Sequence, residues 1–208
     1  MTGWLKLTDS QRKATIDEAE QIVGITAKAI EKDWWVTLTL KALFQSAYAM
    51  HIMFKGGTSL SKCWKLIARF SEDVDIALDP EAFGMSYVEN PSKSHVEKLR
   101  RKGCSFTTNE LKAELEKQFT TLGASPYAET PFMVDVVEPR KTVLEKAMLL
   151  HEQFGRKDII NIKIERMSRH LYDLGILMNT SFGRDAIADH ELYNHLVNIG
   201  NGTAIFHG

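Results

Sequence analysis

Cysteine is scarce in this chain. The 208 residues hold two, Cys63 and Cys104, in neither a CxxC pair nor a Cys/His cluster. That excludes a disulfide scaffold and a thiolate zinc site, and leads us to expect two free thiols in a reducing compartment. Long apolar runs are lacking as well. No stretch approaches the ~20 residues that a membrane helix needs, and Met1-Thr2-Gly3-Trp4-Leu5-Lys6 has no apolar signal-peptide core. The expected location is the cytoplasm, without membrane attachment. Net charge is almost absent, at -1. This argues against a generally basic nucleic-acid binder and leaves room for a local basic face. No internal repeat, low-complexity tract or clear linker divides the sequence. What remains is an ordinary globular composition, 44% hydrophobic and 25% charged, long enough for one domain or two small lobes.

The most informative stretch runs from Lys55 to Leu78. Ile52-Met53-Phe54 reads as a strand end. Gly56-Gly57-Thr58-Ser59 follows and leads into a helical stretch from Leu60 to about Ile67. Ser71-Glu72-Asp73-Val74-Asp75-Ile76-Ala77-Leu78 then places acids in a strand, where alternation sends Asp73 and Asp75 to one face and Val74 and Ile76 to the other. Two adjacent carboxylates raise each other's pKa unless a cation neutralises them, and an oxygen-only pair suits Mg²⁺. Gly56 and Gly57 let backbone come close to a ligand, Thr58 or Ser59 can cap the next helix, and a helix start with free N–H groups suits phosphate. A phosphate cradle beside a carboxylate pair points to metal-assisted chemistry on a nucleoside triphosphate.

The same residues resemble the nucleotidyltransferase superfamily that includes DNA polymerase β, with Gly-Gly at a helix start and Asp-x-Asp on the next strand. More closely, GGTSLSK followed by RFSEDVDIAL is similar to the AbiEii toxins of bacterial toxin–antitoxin and abortive-infection systems. Glu31-Lys32-Asp33-Trp34-Trp35-Val36 resembles the segment that precedes the family signature. There Trp34 and Trp35 either pack a helix on the sheet, or Lys32 or Asp33 lines the site. Further along, Thr142-Val143-Leu144-Glu145-Lys146 and Arg166-Met167-Ser168-Arg169-His170-Leu171-Tyr172-Asp173-Leu174 are similar to two later family motifs.

The resemblance implies an α+β fold: a polymerase-β-like core with a small mixed sheet and flanking helices over residues 1–138, and a helical lobe over 139–208 that completes the active site. It implies catalytic roles for Asp73, Asp75, Lys146 and Asp173. Nucleotide contacts are expected from Gly56, Gly57, Thr58, Ser59, Lys62, Ser71, Lys146 and Arg169. Ser71 either places Asp73 or is a site of modification, and His170 is a further candidate contact. One or two Mg²⁺ ions are expected on Asp73, Asp75 and Asp135, with Glu138 as the fallback for the third. Asp135 enters because it is a lone acid in the apolar run Phe132-Met133-Val134-Asp135-Val136-Val137, and burying an unpaired carboxylate is costly. Its alternative reading is a strand-end aspartate bonded to backbone. Asp173 could instead pair with Arg169 one helical turn away, and Glu145 either holds Lys146 or packs structurally.

The function so implied is Mg²⁺-dependent transfer of NMP from an NTP to the 3′ end of tRNA, by a toxin with a cognate antitoxin. Transfer to a protein or small molecule, or an inactive nucleotide- or partner-binding module on the same fold, are the alternatives. Helices are expected over residues 11–30, 31–49, 91–102, 109–122, 140–151, 158–178 and 184–199, with a loop over 81–92. Gly103 is expected to end its helix, and Thr107 or Thr108 to cap the next. The basic cluster Lys93, Lys98, Arg100, Arg101 and Lys102 is either a solvated face or a contact for polynucleotide phosphates.

Overall fold

The structure is a computed structural model that describes residues 3–71, 73–89, 91–124, 130–155 and 164–202. Its first helix, α1 (Asp9–Val23), begins at a capping box. Thr8 accepts from the Gln11 backbone N–H at 3.3 Å and its own N–H donates to Gln11 Oε1 at 2.9 Å. It stops at Gly24, whose φ of 69° is the left-handed cap that side chains disfavour. The chain therefore breaks there and restarts as α2 (Ala27–Phe44), several residues earlier than periodicity alone suggested. Val36, Leu38, Leu40 and Leu43 of α2 are buried.

Two strands follow, β1 (Ile52–Lys55) and β2 (Asp75–Leu78), with the short helix α3 (Gly56–Lys62) between them. The strands are antiparallel, with Ile52 opposite Leu78, Phe54 opposite Ile76 and Lys55 opposite Asp75. On its other side Phe54 makes a parallel bridge to Val136: Phe54 N donates to Asp135 O and Val137 N to Phe54 O, both at 2.8 Å. The result is a small mixed sheet within an α+β fold. The expected strand over 132–137 shrinks to that single bridge, because β1 is only four residues long and Pro131 and Pro139 flank the partner segment. β2 also begins at Asp75, since the chain opposite turns into α3 after Lys55 and offers no further ladder. The alternation still holds: Asp73 and Asp75 are exposed, while Val74 and Ile76 lie partly buried against the core.

Helix α4 (Lys93–Phe106) does not end at Gly103. It continues through a π-helical turn at Thr107–Leu111 into α5 (Lys112–Ala124). Thr107 and Thr108 donate their hydroxyls back to the Cys104 carbonyl, at 3.0 and 2.6 Å, instead of capping a new helix. The basic residues Lys93, Lys98, Arg100, Arg101 and Lys102 are all exposed on α4.

Among the described residues, four further helices follow: α6 (Pro139–Phe154), α7 (Ile164–Met178), α8 (Ser181–Ala188) and α9 (His190–Gly202). The single helix expected over 184–199 is two, parted at Asp189, and residues 158–163 of the expected long helix lie outside the described residues. One core cluster joins Leu60 and Ile67 to Val143, Leu144, Leu177, Ala186 and Leu196. The helical part thus shares its interior with the residues around α3. Among the described residues, no helix is long and apolar enough to cross a membrane.

Candidate active site

The site is built around the turn from β1 into α3. Gly56 has φ +80°, and a Cβ there would run into the Asp75 carboxylate. Only glycine gives both the backbone conformation and the room for that close approach. A Cβ on Gly57 would lie 2.5 Å from Arg69 Nη2 and 3.4 Å from Ser71 Oγ. Thr58 and Ser59 are fully buried. The Thr58 hydroxyl donates to the Asp73 carbonyl at 2.6 Å and lies 2.8 Å from Ser71 Oγ, and Ser59 donates to the Gly56 carbonyl at 2.9 Å. These hydroxyls are committed to holding the turn and the lead-in to β2. Thr58, Ser59 and Ser71 thus position the turn and the lead-in to β2.

Behind the turn lies a buried ionic network. Arg69 donates to both oxygens of Asp173, Nε to Oδ1 and Nη2 to Oδ2, each at 2.6 Å. Lys146 Nζ lies 2.9 Å from Asp173 Oδ2 and 3.3 Å from His170 Nδ1. Asp173 has no exposed surface and Lys146 is 6% exposed. Burial pushes the Asp173 carboxyl up, but the Arg69 hydrogen bonds and the Lys146 charge outweigh it and hold the group below the usual aspartate value. The same hydrogen bonds raise Arg69. The structure brings Lys146 and Asp173 together, facing each other and Arg69. The pairing of Asp173 with Arg169 does not form. Arg169 is exposed on α7 and His170 is half-buried beside Lys146.

Two further ion pairs tie the site to its neighbours. Lys55 Nζ meets Glu145 Oε2 at 2.8 Å, which gives Glu145 a partner other than Lys146. Lys62 Nζ meets Asp33 at 2.7 Å and Thr37 Oγ1 at 3.1 Å. The Lys62 ammonium clamps α3 to α2, with Asp33 as its partner. Lys32 does line a cavity with Asp73.

The three expected metal carboxylates are not gathered. Asp75 and Asp135 project from the sheet face opposite Phe54, on either side of β1, as alternation from their neighbours Ile76 and Val136 requires. Asp135 is exposed, which corrects the reading of a buried acid, and its carbonyl accepts from Phe54. Glu138 pairs with Arg140 at 2.7 Å. Among the described residues, the one His/Asp/Glu trio with ligand atoms all within 4.8 Å of each other is His51, Asp79 and Glu81, at the far end of the β1–β2 ladder. As donors, Asp73 and Asp75 fit a hard divalent cation: they supply oxygen only, are solvent-facing, and adjoin a glycine turn.

Residues 38–129 match the family model described as nucleotidyl transferase AbiEii toxin, Type IV TA system. Over this segment the chain is similar to that family. The segment contains the Gly56–Gly57 turn, Arg69, Asp73 and Asp75, whereas Asp135, Lys146 and Asp173 lie beyond it. No curated protein and no solved structure matches the chain. Sequence reasoning missed two residues that the structure places around this turn. Arg69 stands in the run RFSEDVDIAL, and only the fold brings it to Asp173. Lys55 stood at the strand end, and only the register with Asp75 and the partner Glu145 show its place.

Proposed function

We propose that the protein is a Mg²⁺-dependent nucleotidyltransferase that moves NMP from an NTP to an acceptor, as the toxin of a toxin–antitoxin pair. The observation that carries this reading is the Asp75 carboxylate seated against Gly56 at the start of α3, with Asp73 beside it, inside the AbiEii-matched stretch. A glycine turn and a carboxylate pair then meet at one point. The acceptor we infer from the family resemblance is the 3′ end of tRNA, and the partner is a cognate antitoxin.

Asp73 and Asp75 would hold Mg²⁺, with Asp135 on the same sheet face; bound there, the ion supplies charge stabilisation for the phosphates and the leaving pyrophosphate. The Gly56–Gly57 turn lets the triphosphate approach backbone N–H groups. Arg69, fixed by Asp173 and lying against Gly57, brings a cation to that turn. Lys146 holds Asp173 and through it Arg69. The acceptor hydroxyl oxygen bonds to the α-phosphorus as the α–β bridging bond breaks. Pyrophosphate leaves, and the hydroxyl proton passes to a carboxylate of this face. Catalysis is positioning plus electrostatics.

The test is incubation of the purified protein with Mg²⁺, each labelled NTP in turn and total bacterial tRNA, beside an Asp73→Ala/Asp75→Ala control. Label in the tRNA band, absent from the control, is the expected result and names the base. Label in neither RNA nor protein, despite NTP binding, sinks the tRNA acceptor and turns the reading toward another acceptor or an inactive module.

A further inference from the structure

Lys32, Trp35, Val36 and Thr39 stand at i, i+3, i+4 and i+7 on α2, a single stripe of the helix. This stripe and Asp73–Val74 line a cavity of about 290 Å³. The size sits near the lower end of small-ligand sites, and suits one nucleoside rather than an extended strand. Val36 and Val74 give it an apolar floor. Trp35 leaves 41% of its surface exposed, so its ring is accessible from the cavity. Its orientation is fixed by Trp34, which meets it edge-on at 4.9 Å and 86° and in turn lies 5.5 Å from Trp4. Thr39 and Lys32 place a hydroxyl and an ammonium at opposite ends of the stripe. Asp73 is a wall of this cavity and also a member of the carboxylate pair.

An anchored aromatic ring, an apolar floor, polar groups at the ends and a reaction-centre carboxylate on the rim together match a nucleobase with its sugar attached. Every base has a π-face that stacks on such a ring. We propose that this cavity seats the base of a nucleotide substrate against Trp35, with the sugar–phosphate end at Asp73. The proposal rests on the nucleotidyltransferase reading above. The base can belong to the incoming NTP or to the terminal nucleotide of an RNA acceptor, and the test separates the two.

Binding is read on the full-length protein, with Mg²⁺ present, for each of the four NTPs, a single-stranded oligoribonucleotide and inorganic triphosphate. Proteins compared are the native chain, Trp35→Ala and Trp35→Phe, each with its thermal melt. The expected result is that Trp35→Ala weakens binding of the NTP or the oligoribonucleotide roughly tenfold. Trp35→Phe restores most of that loss, and inorganic triphosphate, which has no base, binds all three proteins alike. A loss confined to NTP assigns the cavity to the donor base, and a loss confined to the oligoribonucleotide assigns it to the acceptor base. If Trp35→Ala melts like the native chain and binds every nucleotide as tightly, the cavity assignment is overturned while the enzyme reading stands. If the native chain binds neither NTP nor triphosphate, the enzyme reading itself has failed.

Discussion

At the scale of single residues, Asp173 holds the most. It is the shared anion of two cations, Arg69 and Lys146, and it has no contact with solvent. Removing its charge leaves both cations with the desolvation cost and without the attraction that offsets it. Asp173→Asn should therefore cost about 3–5 kcal/mol of stability, read as a lowered melting temperature. The acid limb gives a second reading. Unfolded, this carboxyl takes its proton at the ordinary value of 3.8; folded, it does so only at lower pH. Its contribution is fully present above that ordinary value and is lost as pH falls through the folded one. The gap in melting temperature between native chain and Asp173→Asn should be flat near neutrality and close only in acid. A gap that closed on the alkaline side would refute the assignment. Asp173 was legible in the sequence only by resemblance, because nothing local tells an acid on a helix that its partners lie on α6 and before β2. Asp73 and Asp75 were legible from local pattern alone, since alternation is a property of the backbone itself.

At the scale of elements, the sequence was most misleading where a local signal competed with packing. Gly103 reads as a helix end, yet α4 runs through it, with the Phe83 ring 3.7 Å from where a Cβ would stand. Gly24 reads as tolerable within a helix, yet it takes a left-handed φ and ends one. The Asp135 strand could not be sized from its own residues, since the length of β1 limits it. Lys62 shows the same lesson for a side chain. Its neighbours in sequence suggested phosphate, but α2 runs past it and supplies Asp33 and Thr37. The pair is partly exposed, so Lys62→Met should cost under about 1 kcal/mol. It should leave KM for NTP essentially unchanged, and in combination with Asp33→Asn its effect on melting should be less than additive. A large rise in KM with unchanged melting would restore Lys62 to the nucleotide.

At the scale of the whole molecule, the two parts suggested by the sequence are joined by more than a chain crossing. Leu60 of α3 sits in one cluster with Val143, Leu144 and Leu177, and the Arg69–Asp173 pair runs alongside it. The helix that carries the glycine turn is thus packed on the C-terminal helices, so the geometry of the turn depends on residues more than 80 positions away in sequence. Such long-range dependence has no signature in any local window, which is why the position of the turn was readable and its support was not.

Adjacent on α6, Glu145 grips Lys55 of β1 and Lys146 grips Asp173 of α7. Neighbours on a helix point about 100° apart, so this two-letter order encodes which half of the protein each sign addresses. The double variant Glu145→Lys/Lys146→Glu keeps composition and net charge, yet sets lysine toward lysine and glutamate toward aspartate. It should melt well below the sum of the two single neutralisations, Glu145→Gln and Lys146→Met. Two anagrams with one total charge would then differ as a key differs from its mirror image: the information lies in the order of the charges, and counting them does not reveal it.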